Sequence, residues 1–258
     1  MKRPLCGSAK DLLRRRDFQM CHRVSSNRPD SDPLGCLLCT IRSLSICDAL
    51  DERELQELER LSQRVHLSAR APLFSEGDHS DAAYNVCEGT VRLSKLLPDG
   101  RRQIVGFALP GDFIGIAPGG FYGFSADAIG PVMVCWLLKE PFARFVAGKP
   151  RMLQRMNDFA RQELLLAQDH MVSLGRRSAE EKVAAFLIGW RNRLQRISRA
   201  TKTVYLPMSR QDIADYLGLT IETVSRTLTK LERDGVIIIV PGGVRLMDTG
   251  RAEVLAAA

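Results

Sequence analysis

Histidine is scarce in this sequence. Four stand among 258 residues, at His22, His66, His79 and His170, too scattered to serve a nucleophile or share a metal. No Ser/His/Asp set can be argued, and no Gly-rich loop of the kind that cradles phosphates is present. Enzymatic function is therefore not expected. Long hydrophobic runs are missing too. None approaches the ~20 residues of a membrane span, and the basic N-terminus lacks the apolar core of a signal peptide. A cytoplasmic protein with no membrane partner is expected. Acidic residues do not balance the basic ones. The net charge of +7 fits an anionic partner, although the excess is moderate and not confined to one block.

What the sequence does carry is a compact run, SRQDIADYLGLTIETVSRTLTKL, from Ser209 to Leu231. Ser209 is placed to cap a first helix. Ile213, Ala214 and Leu217 share one face of it. Gly218 follows where a left-handed residue ends a helix. Thr220 caps a second helix, with Ile221, Val224, Leu228 and Leu231 as its expected buried stripe. Glu222, Thr223, Ser225, Arg226, Thr229 and Lys230 lie on the other faces. An ordinary helical hairpin would share this spacing. The exposed chemistry favours a helix-turn-helix. Arginine bonds guanine bidentately, glutamate accepts from the cytosine amino group, and a small hydroxyl sits against thymine. Two β-rich runs, Val236 to Val240 and Val244 to Met247, flank Gly242-Gly243 and read as a wing.

Seven cysteines occur in the chain. In a reducing compartment they point to metal or redox chemistry before disulfides. Cys36, Cys39 and Cys47 form C-x2-C-x7-C, close enough to converge on one soft metal centre, with a fourth ligand from elsewhere. Zinc and an iron–sulfur cluster both accept sulfur ligands, and spacing does not separate them.

The Ser209–Leu231 run closely resembles the DNA-binding motif of the cyclic-AMP receptor protein/FNR family of bacterial transcription regulators. Ile221 to Arg226, Ile-Glu-Thr-Val-Ser-Arg, is similar to the FNR branch. The resemblance implies half-sites of TTGAT type in an inverted-repeat operator of double-stranded DNA. Glu222 and Arg226 would read the G·C core and Ser225 the outer thymines, beside Thr223. Ser209, Arg210 and Gln211 would hold phosphates. The cysteine spacing is similar to that of FNR-like regulators of α-proteobacterial type, which implies an oxygen-labile [4Fe–4S] cluster. Cys135 matches the distant cluster cysteine of that branch and is taken as the fourth ligand, although an isolated cysteine in an apolar strand usually fills a core. Cys6, Cys21 and Cys87 are taken as non-ligands. RNA polymerase is the partner implied after DNA.

The expected fold is α+β. Residues 1–48 form a flexible tail and the cysteine segment, and 49–147 a β-roll (jelly-roll) sensor domain of the cyclic-nucleotide-binding kind. Residues 148–176 form a dimerisation helix, and 177–258 the winged helix-turn-helix. An amphipathic helix is expected after a possible cap at Asp51. Short strands then alternate with turns at Glu76–Asp78, Glu88-Gly89 and Asp99-Gly100. Cyclic nucleotide binding is not expected. In the matching stretch, Phe124 stands where the family's phosphate-binding arginine would be, and a phenyl ring cannot neutralise a phosphate. After Pro150 an apolar stripe runs through Leu153, Met156, Ala160, Leu164, Ala167, Met171 and Leu174. It reads as a homodimer seam, since an inverted repeat needs a twofold mate. Many FNR-branch members place an acidic residue in this seam where Ala167 stands. Gly175 to Arg177 is the expected hinge, and Arg191 to Lys202 a basic connection.

Overall fold

The computed structural model describes residues 35–116, 120–197 and 202–257. The expected flexible tail, with Cys6 and Cys21, lies outside them. Three short 3-10 turns, Cys36–Leu38, Arg42–Leu44 and Ile46–Ala49, carry the cysteine run. Helix α1 (Glu52–Leu61) follows. Asp51 and Glu54 close a full capping box at its start, satisfying two free amide donors. Leu55 and Leu58 turn inward.

The roll then forms from eight strands: β1 (Ser62–Leu67), β2 (Pro72–Phe74), β3 (Ala82–Glu88), β4 (Val91–Leu96), β5 (Arg102–Ala108), β6 (Phe113–Ile114), β7 (Ser125–Ala128) and β8 (Val132–Leu138). They make two four-stranded antiparallel sheets, ordered β1-β8-β3-β6 and β2-β7-β4-β5. Between them lies a core that includes Tyr84, Val86, Val91, Ala126, Val132 and Val134. Strand alternation sends the intervening residues of β3 and β8 to the outer face. There Leu137 joins Ile46, Leu50, Leu55, Leu58, Phe142 and Met152 in a second core.

Helix α2 (Lys139–Ala147) leads into α3 (Pro150–Arg176), a long helix of 27 residues. Gly175 does not break it. The helix runs through that glycine, and the link to α4 (Ala179–Ile197) is the Arg177-Ser178 pair. Ser178 and Glu181 form a reciprocal cap at that start, as their spacing predicts. The basic connection is shorter than expected, because α4 carries the chain to Ile197.

The C-terminal unit holds β9 (Thr203–Tyr205), α5 (Arg210–Leu217), α6 (Ile221–Arg233), β10 (Ile237–Val240), β11 (Gly243–Leu246) and α7 (Thr249–Ala257). The wing is a three-stranded sheet ordered β10-β11-β9. Its hairpin was legible; β9 and α7 were not.

The roll and this unit share one core. Ile104 and Phe107 of β5 pack with Phe186, Trp190 and Leu217. Around that core β4 and β5 grip α5. Arg92 bonds Asp127 through Nε and Nη2, at 3.1 and 2.6 Å, and reaches Asp212 through Nη1 at 2.5 Å. Arg102 holds Asp212 at 2.8 Å and Asp215 at 2.6 Å. Gln103 Nε2 donates to the carbonyls of Asp215 and Tyr216, which α5 leaves free at its C-terminal end.

Candidate nucleic-acid interface and cysteine site

Ser209 Oγ accepts from the Asp212 amide, while Asp212 accepts from the Ser209 amide and hydroxyl. This lock starts α5. Ser209, Arg210 and Gln211 are all exposed at this helix start, where the expected phosphate contacts would be made. Gln211 itself leans on Asp215 at 2.6 Å. Gly218 ends the helix at φ 63°, the left-handed turn predicted for it.

Thr220 caps α6 by accepting from the Thr223 amide at 3.2 Å. One expectation for α6 fails. Ile221 is 37% exposed and is no part of the buried stripe; Val224, Thr227, Leu228 and Leu231 are. Ile221 is the first residue of the helix, one turn short of the core, and the 3.6-residue period passes through Thr227. The polar face stands as read: Glu222, Arg226, Thr229 and Lys230 are exposed, with Thr223 and Ser225 half-buried. The Glu222 carboxyl is held below the usual range by its own backbone N–H and the Thr220 hydroxyl. It is thus an ionised acceptor beside the guanidinium of Arg226. Lys230, at the far end, pairs with Glu180 of α4.

On α3, Met152 and Ser173 are buried against the rest of the chain. Of the residues expected in a seam, Ala160, Leu164, Ala167 and Met171 are exposed, whereas Met156 and Leu174 are half-buried at the edge of the stripe. Leu164 and Met171 are 58% and 62% exposed. A stripe of this kind at helical spacing suits a matching helix.

The cysteines gather on the outer face of the roll. Cys135 of β8 is not a core residue: it stands opposite Arg64 and Asn85 in the ladder, with its neighbours Val134 and Trp136 turned to the roll interior. Cys36 and Cys47 pack on the second core beside Phe113, Met156 and Phe159. Burial pushes the Cys36 thiol up to about 11, and Cys135, Glu59 and Cys39 add to the rise. Burial likewise pushes Cys47 up to about 12, with Cys36, Cys135 and Cys39 adding to it. Cys36 and Cys47 thus each feel the charge of Cys39 and of Cys135. Cys135 is shifted the other way, first by its hydrogen bond with Cys87 and then by the nearby Arg64 guanidinium.

Does this set suit a metal centre? Among the described residues, no three His, Cys, Asp or Glu side chains are arranged to hold a single metal ion. A closed zinc site, with sulfurs about 2.3 Å from a common point, is not formed. Four cysteine sulfurs are the donor set that an iron–sulfur cage takes. Arg64 supplies a compensating positive charge. Asn85, opposite Cys135 in the ladder, is buried and its Oδ1 has no partner.

Phe124 packs on the roll core, 5.8 Å from Phe74 between ring centres. Asp112 spends one carboxylate oxygen on the Leu109 amide and on Arg193. Neither residue offers a cyclic phosphate a cation. No described helix is long and apolar enough to cross a membrane.

Residues 206–237 match the family described as bacterial regulatory proteins, crp family. Residues 64–149 match the cyclic nucleotide-binding domain. The chain is 62% identical to the transcriptional activatory protein AadR of Rhodopseudomonas palustris, over 85% of this chain and 92% of that one. It is 61% identical to the nitrogen fixation regulation protein FixK of Bradyrhizobium diazoefficiens, over 86% and 94%. The solved structure of FixK2 from Bradyrhizobium japonicum superposes with a TM-score of 0.71 at 34% identity, covering 76% of this chain and 98% of that one. The capped helix pair, the roll and these likenesses agree: the chain is no enzyme, but a DNA-binding transcription regulator belonging to the FNR-type branch of the Crp/FNR family.

Proposed function

We propose that this protein is an oxygen-responsive transcriptional activator that works as a cytoplasmic homodimer on TTGAT-type inverted repeats. Cys36, Cys39, Cys47 and Cys135 would hold a [4Fe–4S] cluster, with no cyclic nucleotide. The observation that carries this reading is the packing of Cys36 and Cys47 on the core that Met156 of α3 also joins, on the outer side of the roll toward which Cys135 of β8 is turned. When bound, such a cluster supplies an oxygen-labile redox centre. The chain supplies the rest. Arg155 of α3 donates to the backbone carbonyls of Ser45 and Ser43, both at 3.5 Å. Met156 and Phe159 pack on the core that Ile46 and Leu50 join. With its cysteines and Cys135 holding one group, the segment would be tied to β8 and would steady the first turns of α3, the helix that carries the proposed seam. Coupling then requires that the anchored segment favour one arrangement of the paired helices. Paired α6 helices would enter successive major grooves, and RNA polymerase would meet the surface of the bound dimer.

The test is a gel shift on a TTGAT…ATCAA duplex, with protein purified without oxygen and then exposed to air. The expected result is specific retention that air abolishes. Equal retention before and after air rejects the oxygen response. A second reading is a regulator of the same fold whose cysteines act as redox thiols without a labile cluster. The close approach of Cys87 to Cys135 favours it.

A further inference from the structure

Cys87 lies outside the cysteine run and outside the four-thiol set. Its position follows from an irregularity in β3. The ladder with β8 passes from Val86↔Val134 to Glu88↔Met133, so Cys87 is the extra residue of a β-bulge with no partner across the strand. A bulge bends the strand and re-aims its side chain. In a regular ladder Cys87 would be a diagonal neighbour of Cys135, about 7–8 Å away. Here the two sulfurs stand 3.3 Å apart. A disulfide closes at ~2.0 Å, so little movement is needed. Exposure differs between the two: Cys87 is 5% exposed, while Cys135 is partly open.

We propose that Cys87 and Cys135 form a reversible dithiol–disulfide switch driven by peroxide. The Cys135 sulfur attacks the peroxide, forming an S–O bond as the O–O bond breaks, and leaves a sulfenic acid and one water. The Cys87 sulfur then attacks Cys135 Sγ. The S–S bond forms, the S–O bond breaks, and hydroxide leaves as water with the Cys87 proton. Two thiols are oxidised by two electrons, and one hydrogen peroxide becomes two waters. A dithiol reductant reverses the change. The bond itself does not depend on any metal. Its consequence does rest on the proposed cluster: with Cys135 tied to Cys87, the sheet has no thiolate to offer the N-terminal segment.

The experiment uses the full chain, freed of metal by chelation, treated with one equivalent of hydrogen peroxide and mapped by non-reducing peptide mass spectrometry. The expected product is the Cys87–Cys135 linked peptide, with loss of two hydrogens that dithiothreitol restores. Cys87→Ser should abolish that link and leave Cys135 as a sulfenic acid trapped by dimedone. The variant's circular dichroism and thermal transition serve to show that it folds. Links from Cys135 mainly to Cys36, Cys39 or Cys47, or a persistent sulfenic acid with Cys87 present, would overturn the proposal. In a second arm, anaerobic reconstitution with iron and sulfide separates the two readings. Peroxide-treated protein should take up no iron until reduced, whereas Cys87→Ser should load like the parent. If the untreated parent never loads while the link still forms, the cluster reading fails and the thiol switch stands. Full loading of the linked form would overturn the stated consequence.

Discussion

At the residue scale, Arg226 and Glu222 stand side by side on the free face of α6, one a fixed cation and the other an ionised acceptor. Arg226→Ala should weaken operator binding by about 1–3 kcal/mol and blunt the preference for the G·C step it reads. Arg210→Ala should weaken all duplexes alike and lower the salt slope by about 1. Fluorescence anisotropy on matched and base-substituted duplexes, over a salt series, checks both. Equal effects of the two changes on all sequences would deny Arg226 a reading role. These side chains were legible because caps act locally: Ser209, Gly218 and Thr220 fix where each helix starts and stops. Ile221 misled, since an apolar residue at the first helical position follows the pattern without reaching the core. Thr227 went unread as a buried residue because its hydroxyl hides its place in the period.

At the scale of elements, α3 and the joint around α5 matter most. Leu164→Glu or Met171→Glu would set a carboxylate in each half of the proposed seam, and sedimentation should then give monomer. A dimer unchanged by both would move the interface elsewhere. Ala167 brings no charge to that stripe, so part of the metal-free protein should remain dimeric at micromolar concentration; monomer alone would count against this. In the joint, Arg92→Ala leaves Asp127 and Asp212 without their shared partner. Because Asp212 is buried, thermal or urea unfolding should show a loss of about 3 kcal/mol, eased to the extent that Arg102 still reaches Asp212. His170 of α3 stacks on Tyr216 of α5, with ring centres 4.1 Å apart. Burial holds His170 below the ordinary imidazole range, with the Asp169 carboxylate opposing. A depressed base is neutral in the fold and takes its proton first in the unfolded chain. Its contribution is therefore complete above about pH 6.5 and shrinks as pH falls below that. Thermal melts at pH 8 and 5.5 should differ by less in His170→Phe than in the parent. None of this joint could be read from sequence: Arg92 and Asp212 are 120 residues apart, and nothing local marks them as partners.

At the scale of the whole molecule, the roll, the long helix and the winged unit were legible because turn signals and apolar periods are properties of short stretches. The three-residue β9 was not, since it exists by pairing with β11, far along the chain. The outward aim of Cys135 was also hidden, because an apolar strand looks alike from both faces. So was the bulge that turns Cys87 toward it. In the proposed regulator, sulfurs from the N-terminal segment and from β8 would together decide how α3 is held. The most direct measurement is iron and acid-labile sulfide per chain in protein prepared without oxygen, for the parent and Cys135→Ser. The account predicts about four of each in the parent and little in the variant. Equal iron in both, or none in either, would contradict it.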